Sequence, residues 1–187
     1  MTDTQILQWI KSNLGAIIRQ AINDSNGAST PYTEDWLAGI AMRETGELIA
    51  RYAPQQPDVN IVSSLMRGDY SQRPGETEKQ YHGFGFWQID IHSFPDFIKS
   101  GNWKDPYKCC CQAIADLESA RAYLTAHAPD EITSNQDLFN HYITAAYNCG
   151  SGNEMKVIEL KEAVDNYTTG HDYSKAVFTY AGQYSML

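Results

Sequence analysis

The sequence predicts a mainly α-helical, compact domain with one small β element. Apolar residues recur at steps of three and four over most of the chain, which is the spacing of an amphipathic helix. A run rich in glycine and aromatic residues, Gly83 to Asp90, is instead typical of a tight turn or small hairpin. The length of 187 residues suits one domain with a sizeable core, so residues 1–187 are assigned to a single domain.

The N-terminal part of the chain predicts two amphipathic helices. Apolar residues between Ile6 and Ile22 have helical spacing, and the turn-forming run from Asn23 to Gly27 ends this first helix. Thr33 is the candidate N-cap of the second helix, because acidic residues follow it in the first turn. The apolar stripe of the second helix continues onto Glu44, and Gly46 predicts that the helix ends or bends nearby.

A long irregular segment is predicted from residue 54 to residue 83, with one short helix near residues 61–66. Proline and glycine interrupt regular structure there, and so long a loop in a compact domain is usually functional or disordered. Helical spacing resumes after Pro106, and the remaining helices are expected near residues 110–124, 138–147, 154–167 and 172–185.

The acidic composition argues against two classes of function. The formal net charge is -9, whereas proteins that bind nucleic acid or anionic membranes need clustered Lys and Arg. No stretch is long and apolar enough to predict a transmembrane helix. The polar start of the chain, from Met1 to Thr4, does not resemble a secretory signal peptide.

Cysteine and histidine spacing predicts neither a metal site nor a cofactor. Cys109, Cys110 and Cys111 are consecutive and point in different directions on a helix, and Cys149 stands apart from them. The five histidines show no metal-ligand spacing. We interpret the cysteines as small buried residues of a reducing compartment, with one bridge from Cys149 to the triplet as the alternative.

Glu44 is the first candidate catalytic residue, because a carboxylate on an apolar stripe loses hydration. Loss of hydration raises the pKa of a carboxyl, and a position near the negative end of the helix dipole would add to this effect. A carboxyl that stays protonated near neutral pH can act as a general acid. The alternative is a structural ion pair with Arg43 or Arg51, which also perturbs the pKa of a carboxyl.

Two later motifs gain significance from their order after Glu44. In the run from Gly83 to Asp90, the glycines permit close approach of a ligand, the aromatic rings can stack on sugars, and Gln88 offers a donor and an acceptor. The run from Ala145 to Asn153 ends a helix with Asn and Gly, as a C-cap does. Taken singly, the first motif is typical of a turn with core aromatics and the second of a helix terminus.

In order, Met42-Arg43-Glu44-Thr45-Gly46, the Gly83–Asp90 run and the Ala145–Asn153 run resemble the goose-type lysozymes and the related soluble lytic transglycosylases. The likeness extends over residues 33–187, and residues 1–28 form an N-terminal helix extension outside it. The resemblance implies a single lysozyme-like catalytic domain of mainly α (α+β) structure, with the small β element beside a glycan cleft.

The resemblance also implies a role for each matched residue. Glu44 corresponds to the catalytic acid. Asp90 occupies a position that is Asp in goose-type lysozymes and commonly Met in lytic transglycosylases, so it implies a hydrolase in which Asp90 helps to activate water. Asp69 corresponds to a second helper carboxylate. The residues matched to substrate binding are Gln88, Tyr147, Asn148, Gly85 and His92.

An insertion relative to the family loop, from Tyr70 to His82, keeps the identity of the second helper open. Glu76 and Glu78 lie within this insertion and are alternatives to Asp69. Asp90 would act in either case.

The implied activity is hydrolysis of the β-1,4 bond between N-acetylmuramic acid and N-acetylglucosamine, with inversion and without a cofactor. The expected partner is the peptidoglycan glycan strand. The protein is expected to act on it at the cell wall as a monomer. Phage lysis, effector delivery and removal of a leader are all open as routes to it. The alternatives are a lytic transglycosylase that gives 1,6-anhydro-muramic products, a chitinase, and a non-catalytic glycan-binding module.

Overall fold

The computed structural model describes residues 1–26 and 31–187, and these residues form a mainly α-helical protein. Helix accounts for 69% and strand for 5% of the structure, which confirms the mainly-α class. Gly27, in the predicted turn, and Ala28, where the predicted N-terminal extension ends, lie outside the described residues. The helices are α1 Asp3–Asn26, α2 Glu34–Tyr52, α3 Val59–Leu65, α4 Pro95–Lys99, α5 Pro106–His127, α6 Asp130–Thr133, α7 Gln136–Cys149, α8 Ser151–Leu160 and α9 Tyr173–Ser185.

The chain divides into two compact units. The first unit combines Met1–Ala113 with Tyr180–Leu187, and the second unit is Ile114–Thr179. The assignment of residues 1–187 to a single domain stays a prediction. Among the described residues, no helix has both the length and the apolar character that crossing a membrane requires.

The core of the first unit is built on the pairing of α1 with α2. The apolar stripe predicted for α1 is buried, with Leu7, Ile10, Leu14 and Ile18 at most 1% exposed. Thr33 caps α2 as predicted, since its side chain accepts a hydrogen bond from the Trp36 N–H.

The segment Tyr180–Leu187 completes the first unit through Glu34 at the start of α2. The Tyr184 hydroxyl donates a hydrogen bond to Oε1 of Glu34, while Arg19 forms an ion pair of 2.8 Å with Oε2 of the same carboxylate. The Lys11 ammonium lies 5.1 Å from the centroid of the Tyr184 ring. These contacts tie the distant segment to both α1 and α2.

The prediction that α2 ends near Gly46 is wrong, because the helix continues to Tyr52. Gly46 costs helix stability of about 1 kcal/mol relative to Ala, but Ile49 in the following turn is fully buried and favours continuation. Glu44 therefore lies near the middle of α2 and not in its last turn. The expected contribution of the helix dipole at Glu44 is therefore absent, because the dipole acts only within the last turn.

Two short hairpins follow α3 in the first unit. Tyr70–Ser71 (β1) pairs with Gln80–Tyr81 (β2), and Gly83–Phe84 (β3) pairs with Ile89–Asp90 (β4), both antiparallel. The second hairpin was predicted, and the first was not. In the first hairpin, the rings of the paired residues Tyr70 and Tyr81 pack with 48° between their planes and a centroid distance of 4.8 Å.

The turn between β3 and β4 is anchored in the core. Phe86 and Trp87 are fully buried, so their rings do not stack on a ligand as the functional interpretation required. The Trp87 indole N–H donates a hydrogen bond to the Leu37 carbonyl at 3.0 Å. The Thr45 hydroxyl donates a hydrogen bond to the Phe86 carbonyl at 3.1 Å. This turn is therefore fastened to α2 at the residue next to Glu44.

The second unit contains α6, α7 and α8 with the adjoining parts of α5 and α9. The helix predicted over residues 154–167 is shorter than expected, because α8 ends at Leu160 and Lys161 adopts a left-handed conformation with φ of 55°. Asp165, in the turns that follow, accepts hydrogen bonds from the Ser174 N–H and hydroxyl, both at 2.8 Å, and so fixes the start of α9.

Candidate functional site

A cavity of about 770 Å³ lies beside the second half of α2 in the first unit, and it is called the Glu44 cavity below. Glu44, which is half-buried, lines it from α2, and Asp69 lines it from the segment between α3 and β1. Two of the three predicted catalytic carboxylates therefore share one cavity. A volume of this size is within the usual range for ligand sites.

Charged side chains of both signs line the Glu44 cavity. The basic ones are Arg43, Arg51 and Arg67, which are three of the six arginines in the chain, and the acidic ones are Asp3, Glu44, Glu47 and Asp69. The Arg67 guanidinium lies 5.7 Å from the Tyr81 ring centroid and 5.6 Å from that of Trp103, positions that suit cation–π contact. The cavity therefore offers guanidinium groups to an anionic group of a ligand beside its own carboxyl groups.

Asp69 is positioned by two neighbours while its carboxylate remains accessible. Its Oδ2 accepts a hydrogen bond from the Ser71 hydroxyl at 2.8 Å and lies 3.4 Å from Nδ1 of His82. The His82 N–H donates to the Asp69 carbonyl at 3.0 Å. Because the Asp69 side chain is 60% exposed and His82 is fully buried, a fixed residue orients a carboxylate that water can reach.

Asp90 does not line the Glu44 cavity; it organises the turn after β4. Its Oδ1 accepts the N–H groups of His92 at 2.8 Å and Ser93 at 3.0 Å, and its Oδ2 pairs with Arg73 at 2.7 Å. Burial raises the pKa of the Asp90 carboxyl, but the hydrogen bonds from Arg73, Ser93 and His92 outweigh it and hold that pKa below its ordinary value. A carboxylate held in this way is a weak base.

Gln88 and Gly85 lie behind the wall of the cavity. The backbone of Gln88 is left-handed with φ of 49°, and its side-chain amide donates to the Gly85 carbonyl at 2.8 Å. A Cβ atom at Gly68 would lie 1.8 Å from Oε1 of Gln88, and one at Gly83 would lie 2.4 Å from it. Gln88 therefore packs against the backbone that carries Asp69, and its predicted contact with substrate stays untested.

Gly85 has a second constraint. Its φ is 76°, and a Cβ there would lie 2.4 Å from the Cys109 sulfur and 2.9 Å from the Trp103 carbonyl. Burial raises the pKa of the Cys109 thiol to about 12, so this sulfur is an unreactive packing partner. The glycine is required by the close approach of β3 to α5.

We expect the substitution Gly68→Ala to destabilise the protein by about 1–3 kcal/mol, because the added methyl overlaps Oε1 of Gln88. Gln88 cannot retreat without losing its hydrogen bond to Gly85. Chemical denaturation measures the change. Gly152→Ala is the matched control, since no atom lies within 4 Å of its Cβ position, and it should leave the free energy of unfolding unchanged or slightly raised. Equal values for the two variants would contradict this account.

The remaining predicted binding residues lie elsewhere. Tyr147 and Asn148 are half-buried on the last turn of α7 in the second unit. The Asn148 side-chain oxygen accepts the Thr169 N–H at 2.9 Å, which fixes a loop of that unit. His92 is 51% exposed and its Nε2 contacts Glu76 at 2.6 Å.

Sequence spacing did not reveal a cluster formed by Glu76, His82 and His92, called the Glu76 cluster below. Its three ligand atoms lie within 4.8 Å of one another. Oε2 of Glu76 accepts the Arg73 N–H, and Oε1 faces Gln80, His82 and His92. Hydrogen bonds hold the pKa of Glu76 well below its usual range. The one from the Arg73 backbone has the largest effect, and those from the side chains of Gln80, His82 and His92 add to it. Both carboxylate oxygens of Glu76 therefore make contacts within or beside this cluster, and Glu78 is not one of its members.

Sequence analysis also missed Glu154, a fully buried carboxyl in the second unit. Burial raises its pKa to about 8, with the nearby Asp165 acting in the same direction. Its Oε2 lies 3.4 Å from the Cys149 sulfur, and no hydrogen bond reaches Oε1 from the described residues. Glu154 shares an apolar helix face with Val157 and Ile158, and this is the signal that could have identified it.

Comparison of the chain with protein-family models, with curated proteins and with solved structures found no match.

Proposed function

We propose that this protein is a peptidoglycan hydrolase that cleaves the β-1,4 bond between N-acetylmuramic acid and N-acetylglucosamine. The observation that carries the proposal is that Glu44 and Asp69 line one cavity together with three arginines. Peptidoglycan carries carboxylates on its lactyl and peptide groups, and the arginines supply complementary charge. The three motifs that resemble goose-type lysozymes support the same activity and a lysozyme-like fold.

In the proposed reaction, the protonated carboxyl of Glu44 donates its proton to the glycosidic oxygen as the bond to the anomeric carbon breaks. The carboxylate of Asp69 takes a proton from a water molecule, whose oxygen forms the new bond on the opposite face of the sugar. One carboxyl acts as acid and the other as base, which is the division of roles in an inverting glycosidase. No cofactor takes part in this scheme.

The proposal assigns the base to Asp69 and gives Asp90 a supporting role. Asp69 lines the cavity and is exposed to water, while both oxygens of Asp90 accept short hydrogen bonds from its own turn and from Arg73. Asp90 then stabilises the turn that carries His92. This changes the role that the resemblance implied for Asp90, although the resemblance to hydrolases is kept.

The rest of the proposal follows from the resemblance. Tyr147, Asn148 and Gln88 are assigned to sugar binding or to support of the cleft. The protein acts as a monomer at the cell wall, with glycan strands as its partner. A lytic transglycosylase is the second candidate, because it needs the same acid but no base.

Mass spectrometry of the fragments released from purified peptidoglycan tests this proposal. Fragments that end in a reducing N-acetylmuramic acid are expected. Fragments that end in 1,6-anhydro-muramic acid would show that the protein is a lytic transglycosylase and not a hydrolase. Release from chitin alone would identify a chitinase, and saturable binding without any new ends would identify a glycan-binding module.

We expect Asp69→Asn to lower kcat by about 10²–10³-fold, because general bases contribute factors of this order. Asp90→Asn should lower kcat by less than about tenfold, while it destabilises the turn by roughly 1–3 kcal/mol through the lost charged hydrogen bonds. Turnover and the free energy of unfolding are measured for both variants. A larger loss of turnover in Asp90→Asn than in Asp69→Asn would mean that Asp90, and not Asp69, is the general base.

A further inference from the structure

The Glu76 cluster has a hydrogen-bond pattern that its groups cannot satisfy well by themselves. Oε1 of Glu76 lies 2.8 Å from the Gln80 amide, 2.8 Å from Nε2 of His82 and 2.6 Å from Nε2 of His92. A carboxylate oxygen offers about two acceptor sites, so three nitrogens crowd one atom. Both imidazoles direct the same nitrogen into the space shared by the cluster.

His82 adds a second, independent constraint. It is fully buried, and its Nδ1 lies 3.3 Å from the Ser71 hydroxyl oxygen and 3.4 Å from Oδ2 of Asp69, the oxygen to which that hydroxyl donates. A proton on Nδ1 suits the Asp69 carboxylate. With that proton in place, a neutral imidazole carries its lone pair on Nε2, and this lone pair points toward the Glu76 carboxylate. A cation between His82 and Glu76 removes the conflict.

We propose that Glu76, His82 and His92 bind one divalent zinc ion through Oε1 and the two Nε2 atoms. Two imidazoles and one carboxylate form a ligand set that zinc accepts, whereas Mg²⁺ and Ca²⁺ prefer oxygen ligands alone. Zinc-bound ligands lie about 2.0–2.2 Å from the metal, so tetrahedral ligand atoms are about 3.4 Å apart. Oε1 of Glu76 lies 2.8 Å and 2.6 Å from the two Nε2 atoms, so binding requires these pairs to separate by less than about 1 Å. His92 is 51% exposed, so solvent can supply the fourth ligand.

The surroundings of the cluster match those of a metal site. A histidine that binds a metal usually donates its other ring N–H to a carboxylate, and Asp69 has this position relative to Nδ1 of His82. The backbone N–H of Arg73 holds the second oxygen of Glu76 at 2.6 Å, which leaves Oε1 for the ion. The Arg73 guanidinium is neutralised by Asp90 at 2.7 Å, so its charge does not oppose a cation.

The ligands come from three separate parts of the first unit. Glu76 follows the turn at Gly75, His82 lies between β2 and β3, and His92 lies in the turn after β4. A bound ion would join the loop between β1 and β2 to the β3–β4 hairpin. It would also fix the His82 tautomer that faces Asp69, independently of whether the chain is a hydrolase.

Isothermal titration of the metal-free full chain with ZnCl₂ tests the proposal without an activity assay. We expect one equivalent to bind, and the affinity to fall at least about 100-fold in His92→Ala and in Glu76→Gln, since even outer-shell changes cost 10–100-fold. His92 is exposed and Glu76→Gln keeps the side-chain shape, so both variants should fold. His127→Ala removes an exposed histidine far from the cluster in sequence and is the matched control. Titration with CaCl₂ should show no competition.

Cobalt substitution separates this site from the four free cysteines, which are the other candidate ligands. Visible d–d bands without a cobalt–thiolate charge-transfer band are expected, and they should disappear in His92→Ala. No zinc binding by the wild type, unchanged affinity in His92→Ala and Glu76→Gln, or a thiolate band removed by Cys149→Ser would each overturn the proposal.

Discussion

Replacing Glu44 with Gln should lower kcat on purified peptidoglycan by about 10²–10⁴-fold, the range that a general acid contributes. The amide keeps the size of the side chain but has no proton to donate to the leaving oxygen. Glu44 is half-buried and lines the cavity from a continuous helix, and Gln has the same size, so the variant should retain its fold and its affinity for glycan fragments. Turnover is followed by the release of reducing ends, and binding is followed by fluorescence or calorimetry.

Glu47→Gln is the matched control for this loss. Glu47 lines the same cavity from the next turn of α2, so its replacement makes the same change from carboxyl to amide in the cavity. It should lower kcat by less than about tenfold. A similar loss in both variants would mean that the loss of a cavity carboxyl in general, and not of the proton donor at Glu44, accounts for the effect of Glu44→Gln. Full activity of Glu44→Gln would remove the proposed acid altogether.

The second large effect concerns the pH dependence of stability. The pKa of Glu154 is about 8 in the folded protein against an ordinary value of 4.5, so the folded state binds the proton more tightly than the unfolded state. The stabilisation from this group is complete below about pH 4.5 and is lost as pH rises through about 8. We expect the difference in unfolding free energy between Glu154→Gln and wild type to grow by about 3 kcal/mol, in favour of the variant, from pH 5 to pH 8.

Chemical denaturation across this pH range measures the effect. All four tryptophans lie within residues 1–113, so their fluorescence reports the first unit, whereas far-ultraviolet circular dichroism also reports the second. The effect should be seen by circular dichroism. Glu159→Gln is the control, because it makes the same substitution at an exposed carboxyl on the same helix. Parallel pH profiles for wild type and Glu154→Gln would contradict the buried-carboxyl account.

The helices could be predicted from the sequence because each long helix buries one regular stripe. In α2 the acidic residues after Thr33 identified the cap, and the spacing of apolar residues identified the position of Glu44. The ends of the helices were less predictable. Gly46 is a poor helix former, but the burial of Ile49 outweighs this preference. Lys161 ends α8 early in a left-handed conformation, which the identity of the residue does not predict.

The site was predicted only in part, because its groups meet through loops. The β1–β2 hairpin has strands of two residues each, so it leaves no alternating pattern in the sequence. Its turn places Glu76 against His82 and His92, although 6 and 16 positions separate them along the chain. Motif spacing can detect neighbouring side chains that lie on one helix, strand or loop. It does not detect side chains that three separate segments bring together. Similarly, Asp90 was identified by its position after Gln88, while the contacts that hold it come from Arg73 in the insertion.

The order in which the ribosome delivers the chain has a consequence for the first unit. The contacts of Tyr184 with Glu34 and Lys11 form only after residues 114–179 have been translated. At about 5–20 residues per second, this leaves the apolar surface between α1 and α2 without its closing segment for roughly 3–13 seconds. A nascent chain stalled before Tyr180 should therefore be a preferred client of chaperones and proteases at its N-terminal end, even though that end was synthesised first.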